Sequence, residues 1–275
     1  MRQNRIDAKF HELARNGRKA LLPYLTAGYP DLSTTGRIVR QIDALGVPII
    51  ELGFPFSDSI ADGPVIQGSF HRVLAGTFRV ADIFDLVASL RSELSAALVA
   101  MVSMSVVRRH TVPAFVERCR QSGFDGLIVP DVPLEEAPEI VSVAHAAGLK
   151  AVMLVTPTTP PDRREQIARM SSGFLYQVAV SGTTGERSDL PARLADDVAQ
   201  LRQVSGLPVC VGFGIATADH VRAVCRIADG AIVGSAVVRR ITEGLDAGLP
   251  PDRIADTVTA CVAELCTGLD NPQST

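Results

Sequence analysis

The 275-residue sequence predicts an α/β fold, a single-domain (β/α)8 barrel with an extra helix at its N-terminus. Eight short apolar runs alternate with amphipathic segments, which is the order of a repeated strand–helix unit. The runs are almost continuously hydrophobic, as parallel strands are when both of their faces are covered. A doubly wound sheet is the alternative, but the G-x-G-x-x-G fingerprint of its first turn is missing.

The first predicted element is the extra helix, a lead-in segment with the sequence DAKFHELARN. The eight strands are predicted over 20–28, 48–54, 96–103, 125–132, 150–157, 174–181, 208–214 and 230–236. We predict one domain over residues 1–270, followed by a frayed tail over 271–275.

The segments between the strands have apolar residues at three- and four-residue spacing, and several begin with Asp, Thr or Pro near an N-cap position. They predict helices over 34–46, 112–123, 134–148, 162–170, 190–203 and 217–228, with two more over 237–247 and 251–267. A glycine precedes most strands, which indicates helix C-caps at Gly123, Gly148, Gly173, Gly206 and Gly230.

Composition and charge exclude several classes of function. The formal net charge is −3 and the basic residues are scattered, so there is no electrostatic footprint for nucleic acid or an anionic membrane. No apolar run approaches the roughly 18 residues that cross a bilayer, and the first ten residues do not resemble a signal peptide. Five cysteines without a C-x-x-C motif indicate reduced thiols and no zinc site. We therefore expect a cytoplasmic protein.

In a barrel of this kind the active site lies at the C-terminal ends of the strands. The predicted strands deliver polar residues to that end, and the loop after the second strand adds two more acids. In chain order these residues are Tyr24, Thr26, Glu51, Asp58, Asp62, Ser103, Ser105, Asp131, Thr156 and Tyr176.

Three loops after strands 6, 7 and 8 are rich in small residues: SGTTG (181–185), GFG (212–214) and GS (234–235). Backbone N–H groups in such loops can approach an anion closely, and the loops after strands 7 and 8 are the usual phosphate site of this fold. The sequence therefore predicts a phosphorylated small molecule as substrate. The polar segment 181–191 is long enough to close over it as a lid.

Lysine and metal chemistry fit the sequence poorly. A Schiff-base aldolase needs a lysine at the barrel mouth, but Lys150 begins strand 5, and Lys9 and Lys19 precede strand 1. Metal ligands should cluster, whereas the histidines are dispersed and mostly on helical segments: His11, His71, His110, His145 and His220. We expect catalysis by carboxylates, without a metal.

Glu51 is the first candidate, because it follows VPII on a strand that should be buried. A buried carboxylate is costly unless it is hydrogen-bonded or used, and burial raises its pKa into the range of a proton donor near pH 7. The alternative is an outward-facing Glu in a salt bridge. Asp62, before Gly-Pro, is either an Asx-turn residue or a catalyst, and the sequence leaves both open. Asp58 suits a cap or a contact with a partner better than chemistry.

The stretch ELGFPFSDSIADGPVIQ (51–67) closely resembles the signature of the tryptophan synthase α subunit family. The resemblance continues in order through PYLTAGYPD, DGLIVPDVPLEE, SGTTG, VGFG and VGSA. It implies a barrel that cleaves indole-3-glycerol phosphate to indole and glyceraldehyde 3-phosphate in tryptophan biosynthesis, without a cofactor of its own. It also implies a pyridoxal-phosphate β subunit as partner, in an αββα complex.

The resemblance also implies roles for individual residues. Glu51 would give a proton to indole C3 and accept one from the glycerol hydroxyl, while Asp62 would hydrogen-bond the indole N–H. The implied phosphate site is Gly185, Gly214, Gly234 and Ser235. The implied pocket residues are Tyr24, Tyr176, Thr184 and Phe213, with Thr26 beside them, and the partner interface comprises Asp58, Ser105 and Pro133.

The chain departs from the family pattern after strand 3, in MVSMSVVRRH (101–110), where Ser103 and Ser105 stand at the family's usual Tyr and Asn positions. Ser59 also replaces the usual Pro, which loosens the loop that carries Asp58 and Asp62. Two alternatives therefore stay open: a weakly active barrel that serves mainly as an activating partner of a β subunit, and a stand-alone lyase that releases indole.

Overall fold

Eight parallel strands close into a barrel, in which each strand pairs with its neighbours in sequence and β8 pairs with β1. The computed structural model describes residues 3–59, 62–179, 191, 193–212 and 214–269. The strands are β1 (Ala20–Thr26), β2 (Ile49–Gly53), β3 (Ala97–Met101), β4 (Gly126–Ile128), β5 (Lys150–Val155), β6 (Leu175–Val178), β7 (Val209–Gly212) and β8 (Gly230–Val233).

Helices surround the barrel, and several loops carry more than one. The first six are α1 (Arg5–Arg15), α2 (Leu32–Ala44), α3 (Pro64–Leu74), α4 (Val80–Leu90), α5 (Met104–His110) and α6 (Val112–Ser122). The others within the described residues are α7 (Ala137–Ala146), α8 (Pro161–Met170), α9 (Leu194–Ser205), α10 (Ala218–Cys225), α11 (Ser235–Asp246) and α12 (Pro251–Cys266). None of these helices is long and apolar enough to cross a membrane.

The predicted (β/α)8 barrel with an N-terminal helix is confirmed, but the predicted strands are longer than the observed ones. The second strand, predicted over 48–54, covers only Ile49–Gly53, because its apolar character continues into the loop. The prediction over 230–236 is wrong at its end, since α11 begins at Ser235. Gly230 is the first residue of β8 and not a helix C-cap, whereas Gly123 and Gly206 cap α6 and α9 with positive φ.

Two layers of apolar side chains form the core. One lies between the strands and the surrounding helices, and the other fills the inside of the barrel. Ile6 and Phe10 of α1 belong to the inner layer, where the Phe10 ring contacts Phe174 at 5.7 Å between centroids. The helix α1 therefore closes the N-terminal end of the barrel, and the opposite end is left for chemistry.

The end of β2 is firmly anchored just beyond Glu51. The Phe54 side chain is fully buried, and its ring contacts those of Phe84, Phe115 and Phe124 at 5.5, 5.7 and 5.9 Å between centroids. The Phe54 N–H also donates to the Met101 carbonyl (2.8 Å). This packing fixes the point at which the chain leaves the strand and enters the loop that carries Asp58 and Asp62.

Candidate active site

Glu51 lies inside the barrel, on the same face of β2 as Ile49, and is fully buried. It pairs in register with Tyr24 of β1 and Val99 of β3. Neither of its carboxylate oxygens has a hydrogen-bond partner among the described residues. The alternative of an outward-facing salt bridge is therefore wrong, and the prediction of a buried strand carboxylate is confirmed in its geometry.

Burial raises the pKa of Glu51 to about 8, because the charged form loses its hydration without gaining a partner. The carboxyl group is then mostly protonated at neutral pH. A proton held on a buried strand, with no acceptor among the residues that the structure describes, can be donated to a molecule in the barrel mouth.

Asp62 follows the loop after β2 and is half-buried. Its N–H donates to the Ser59 carbonyl (3.0 Å), and the Gln67 side chain of α3 donates to the carbonyls of both Ser59 (2.9 Å) and Asp62 (2.7 Å). The described residues provide no Asx-turn hydrogen bond to the Asp62 carboxylate. The loop is thus tied down through its backbone, which leaves the carboxylate for another use.

Burial, and after it the nearby charge of Asp131, raise the pKa of Asp62 to about 6. Asp131 is itself held at the start of α5. Its carboxylate accepts from the Ser103 hydroxyl (2.6 Å) and from the Met104 N–H (2.8 Å), and Ser105 contacts Ser103 at 2.8 Å between hydroxyl oxygens. Ser103, which is buried, therefore positions the negative charge that acts on Asp62.

Two tyrosines lie close to the acids because glycines make room for them. A Cβ added at Gly53 would lie 1.9 Å from the Tyr24 hydroxyl, and one added at Gly212 would lie 2.2 Å from the Tyr176 hydroxyl. Burial raises the pKa of Tyr24 well above its ordinary value, with Asp62 and Glu51 adding to the rise. Burial and then Glu51 do the same for Tyr176. Both phenols are therefore neutral neighbours of the acids.

On the other side of β1, the start of α11 can receive an anion. Gly234 is its N-cap and has no side chain to satisfy the first N–H groups of the helix. Gly234 and Ser235 are partly exposed, and Gly214 at the end of β7 has φ +77°. These three predicted phosphate residues thus follow two neighbouring strands, β7 and β8, at the mouth of the barrel.

The remaining predicted residues divide into three groups. Thr26 is buried and its hydroxyl contacts the Ser69 hydroxyl of α3 at 2.7 Å, so it joins β1 to that helix. The expected interface residues are all exposed on loops or α5 at the mouth end: Asp58, Ser105 and Pro133. Three predicted residues, Thr184, Gly185 and Phe213, lie outside the described part of the chain, as do most of the expected lid over 181–191 and the tail over 271–275.

The structure places all three lysines of the chain away from the mouth. Lys9 is on α1, Lys19 pairs with Asp229 (3.1 Å), and Lys150 begins β5 and pairs with Asp7 of α1 (2.6 Å). All five histidines lie on helices, as expected for four of them, and His110 ends α5. Within the described residues, no group of His, Cys, Asp and Glu side chains has the arrangement of a metal site.

Some residues that shape the site have no role that the sequence predicts. Asp131 lies three residues after β4, and its contact with Ser103 crosses 28 positions of sequence and has no local signal. Gln67 fastens the Asp62 loop from within α3. For Gly53 the sequence does carry a signal, because a glycine inside a strand often marks a close approach by a neighbour. Gly53 lies two residues after Glu51 on the same face of β2, and only glycine leaves room there for the Tyr24 ring.

The sequence matches the profile of the family described as tryptophan synthase alpha chain over residues 10–264. This chain belongs to the tryptophan synthase alpha chain family. It is similar to the tryptophan synthase alpha chain of Synechococcus sp. (strain CC9902), with 44% identity over 86% of this chain and 88% of the relative. It is 41% identical to that of Chloroflexus aggregans, over 97% and 98% of the two chains.

Solved structures agree with this assignment to the tryptophan synthase alpha chain family. The barrel superposes on tryptophan synthase subunit alpha from Legionella pneumophila with a TM-score of 0.88 and 32% identity, covering 98% of this chain and 99% of the other. It superposes on a chain of Mycobacterium tuberculosis tryptophan synthase with a TM-score of 0.87 and 32% identity, covering 97% and 98%. The family and fold expected from the 51–67 signature are confirmed, and with them an enzyme of tryptophan biosynthesis.

Proposed function

We propose that this protein cleaves indole-3-glycerol phosphate to indole and glyceraldehyde 3-phosphate, with Glu51 and Asp62 as its catalytic residues. The observation that carries this proposal is a buried Glu51, without a hydrogen-bond partner among the described residues, at the same barrel mouth as Asp62, where both acids raise the pKa of Tyr24. Their pKa values of about 8 and about 6 keep the first protonated and the second ionised near pH 7.

The two carboxyl groups divide the reaction between them. Glu51 donates its proton to C3 of the indole ring, which becomes an iminium-type electron sink whose N–H hydrogen-bonds the Asp62 carboxylate. The Glu51 carboxylate then takes the proton of the adjacent glycerol hydroxyl. That carbon becomes the aldehyde, its bond to C3 breaks, and the electron pair returns to the ring to give indole. Because the ring itself accepts the electrons, the step needs no metal and no cofactor in this chain.

The other end of the substrate fits the far side of the mouth. The phosphate would accept hydrogen bonds from the first N–H groups of α11, at Gly234 and Ser235, and from the backbone near Gly214. The positive end of the helix dipole adds to this attraction. Phosphate binding at α11 would hold the indole ring against Glu51.

The partner we propose is a tryptophan synthase β subunit that holds pyridoxal phosphate. The exposed positions of Asp58, Ser105 and Pro133 around the mouth support it, since a partner seated there would face the exit for indole. Of the two departures, Ser103 keeps a structural role by holding Asp131, and Ser59 anchors the Asp62 loop through its carbonyl. We therefore favour an active enzyme over a barrel that only activates its partner.

Indole release from indole-3-glycerol phosphate tests the proposal, measured for the wild type and Glu51→Gln, alone and with the β subunit of a relative. We expect slow release by the wild type alone and faster release with the partner. The Glu51→Gln variant should lose nearly all activity, by a factor of roughly 100 to 10,000. Full activity in that variant would contradict the role of Glu51, and an unaccelerated wild type would favour a stand-alone lyase.

A stability measurement keeps this test independent of folding. The pKa of Glu51 is raised on folding, so its burial favours the protonated form and costs stability progressively as the pH rises from about 4.5 to about 8. Glu51→Gln should therefore match the wild type in thermal stability near pH 4 and exceed it above pH 8. A variant that is inactive yet at least as stable has lost chemistry and not structure.

A further inference from the structure

Tyr24 stands between the two halves of the proposed site. Its strand, β1, lies between β2, which carries Glu51, and β8, which leads to Gly234. Tyr24 pairs in register with Glu51, and its hydroxyl lies over Gly53 at the end of β2. On the other side, a Cβ at Gly234 would lie 3.6 Å from Cδ1 of the Tyr24 ring. The phenol thus spans the distance from the proton donor to the start of α11.

The glycerol chain, which is the middle of the substrate, would lie beside Tyr24 if the substrate spans the barrel mouth. With the indole ring at Glu51 and Asp62 and the phosphate at the start of α11, the glycerol chain must cross β1. Tyr24 lies at that level of β1, on the same face as Ala20 and Leu22, which line the inside of the barrel. The glycerol chain carries two hydroxyls, of which one reacts and the other, on the middle carbon, does not.

The Tyr24 hydroxyl is hydrogen-bonded to the Thr26 side chain, which is itself bound to α3. The Ser69 hydroxyl donates to the Ile66 carbonyl (2.7 Å), so in its contact with Thr26 it accepts, and the proton of the Thr26 hydroxyl is already used. Thr26 is therefore bound to α3. Because the Thr26 proton goes to Ser69, the Tyr24 hydroxyl donates to Thr26 and keeps its lone pairs to accept a hydrogen bond from an alcohol beside the two acids.

We propose that the Tyr24 hydroxyl hydrogen-bonds the unreactive glycerol hydroxyl of the substrate and so selects substrates that carry it. This inference rests on the proposed function, because it takes the substrate's two ends from it. It gives Tyr24 a polar role in specificity beyond lining the pocket. A phenol held rigidly between Gly53 and Gly234 positions the chain between ring and phosphate.

The test replaces Tyr24 by Phe, which removes the hydroxyl and keeps the ring over Gly53. We expect kcat/KM for indole-3-glycerol phosphate to fall about three- to tenfold, the effect of one neutral hydrogen bond. Affinity for indole-3-propyl phosphate, which lacks both hydroxyls and cannot react, should be unchanged when measured by calorimetry. An unchanged kcat/KM would overturn the inference, and so would an equal loss of affinity for the propyl analogue.

Tyr29→Phe is the matched control, because it removes a buried phenol hydroxyl outside the site. The Tyr29 hydroxyl contacts the Thr242 hydroxyl at 3.0 Å and accepts from Arg72 (3.3 Å). This variant should lose some thermal stability and keep the wild-type kcat/KM. If Tyr29→Phe lost as much kcat/KM as Tyr24→Phe, the inference would be overturned. A wild type that releases no indole rejects the proposed function itself. A wild type that is active and insensitive to Tyr24→Phe rejects only the role of the hydroxyl.

Discussion

At the scale of single residues, the site depends on two carboxyl groups with different surroundings. Glu51 is fully buried with no hydrogen-bond partner in the described part of the chain, and burial alone raises its pKa. Asp62 is half-buried, so burial raises its pKa less, and Asp131 contributes a second, smaller rise. Environment thus assigns the proton to one acid and the charge to the other, although both have similar ordinary pKa values.

These pKa values predict a bell-shaped dependence of kcat/KM on pH. Activity should rise as Asp62 ionises near pH 6 and fall as Glu51 loses its proton near pH 8. In Asp131→Asn, the charge that disfavours ionised Asp62 is gone while an acceptor for the Met104 N–H remains. The acid limb should therefore move to lower pH, and the alkaline limb should stay in place.

The pH profile of indole release for Asp131→Asn is the measurement that checks this. Asp85→Asn, on the exposed face of α4, is the control and should reproduce the wild-type profile. An acid limb that stays near pH 6 in Asp131→Asn would show that Asp131 does not act on Asp62.

At the scale of elements, the connection from β2 to α3 converts a strand end into a site. Phe54 anchors its beginning in an aromatic cluster, and Pro64 starts α3 at the first helical position, directly after the N-cap Gly63. Gln67 then reaches back from α3 to hold the carbonyls of Ser59 and Asp62. The loop that carries Asp62 is therefore fixed at both ends and in its middle.

Gly53 is the position in this connection where we expect a side chain to be least tolerated. In Gly53→Ala the new Cβ would lie 1.9 Å from the hydroxyl and 2.4 Å from Cζ of Tyr24, so the ring must leave its place beside the acids. We expect kcat/KM for indole-3-glycerol phosphate to fall by at least about tenfold, as for other small misplacements in active sites.

Gly68→Ala, within α3, is the matched control. Gly68 is exposed and a Cβ there meets no atom within 4 Å. Alanine should stabilise the helix by about 0.5–1 kcal/mol without changing kcat/KM. Wild-type kinetics for Gly53→Ala in the same assay would mean that the position of the Tyr24 ring does not matter for turnover.

At the scale of the whole molecule, the two ends of the barrel have different tasks. The N-terminal end is filled by α1 and tied together by the buried Asp125, which accepts from Arg5 (3.2 Å), Arg91 (3.3 Å) and the Leu98 N–H (2.9 Å). The C-terminal end holds Glu51, a buried acid without a hydrogen-bond partner among the described residues, which costs stability. Stability and chemistry are thus separated along the barrel axis.

Phe10→Ala tests this separation. Removing the ring leaves a cavity inside the barrel between α1 and Phe174, and such losses cost about 3–5 kcal/mol. Chemical denaturation should show that loss, while kcat per folded molecule should stay at the wild-type value because Glu51 is at the opposite end. Lys9→Ala, the preceding residue on α1, should change neither quantity much. A large fall in kcat for folded Phe10→Ala would contradict the separation.

Much of the fold and part of the site could be predicted from the sequence. Runs of apolar residues identified all eight strands, because parallel strands covered on both faces have that composition. Glu51 could be predicted as buried from VPII alone. The ends of the strands could not be predicted, because apolar residues continue past them. Phe54, for example, follows Gly53 and packs against residues far along the chain.

The sequence by itself determined the barrel, the family and the strand-borne acid, since these depend on local pattern and on a signature of contiguous residues. Only the tertiary structure decided that no described residue uses the Asp62 carboxylate in a turn, and that Ser103 holds Asp131. The tertiary structure also places Gly53 and Gly234 on either side of the Tyr24 ring. Each of these depends on contacts between strands that are neighbours in the barrel and distant in the chain. Register and closure, which no local pattern encodes, bring them together.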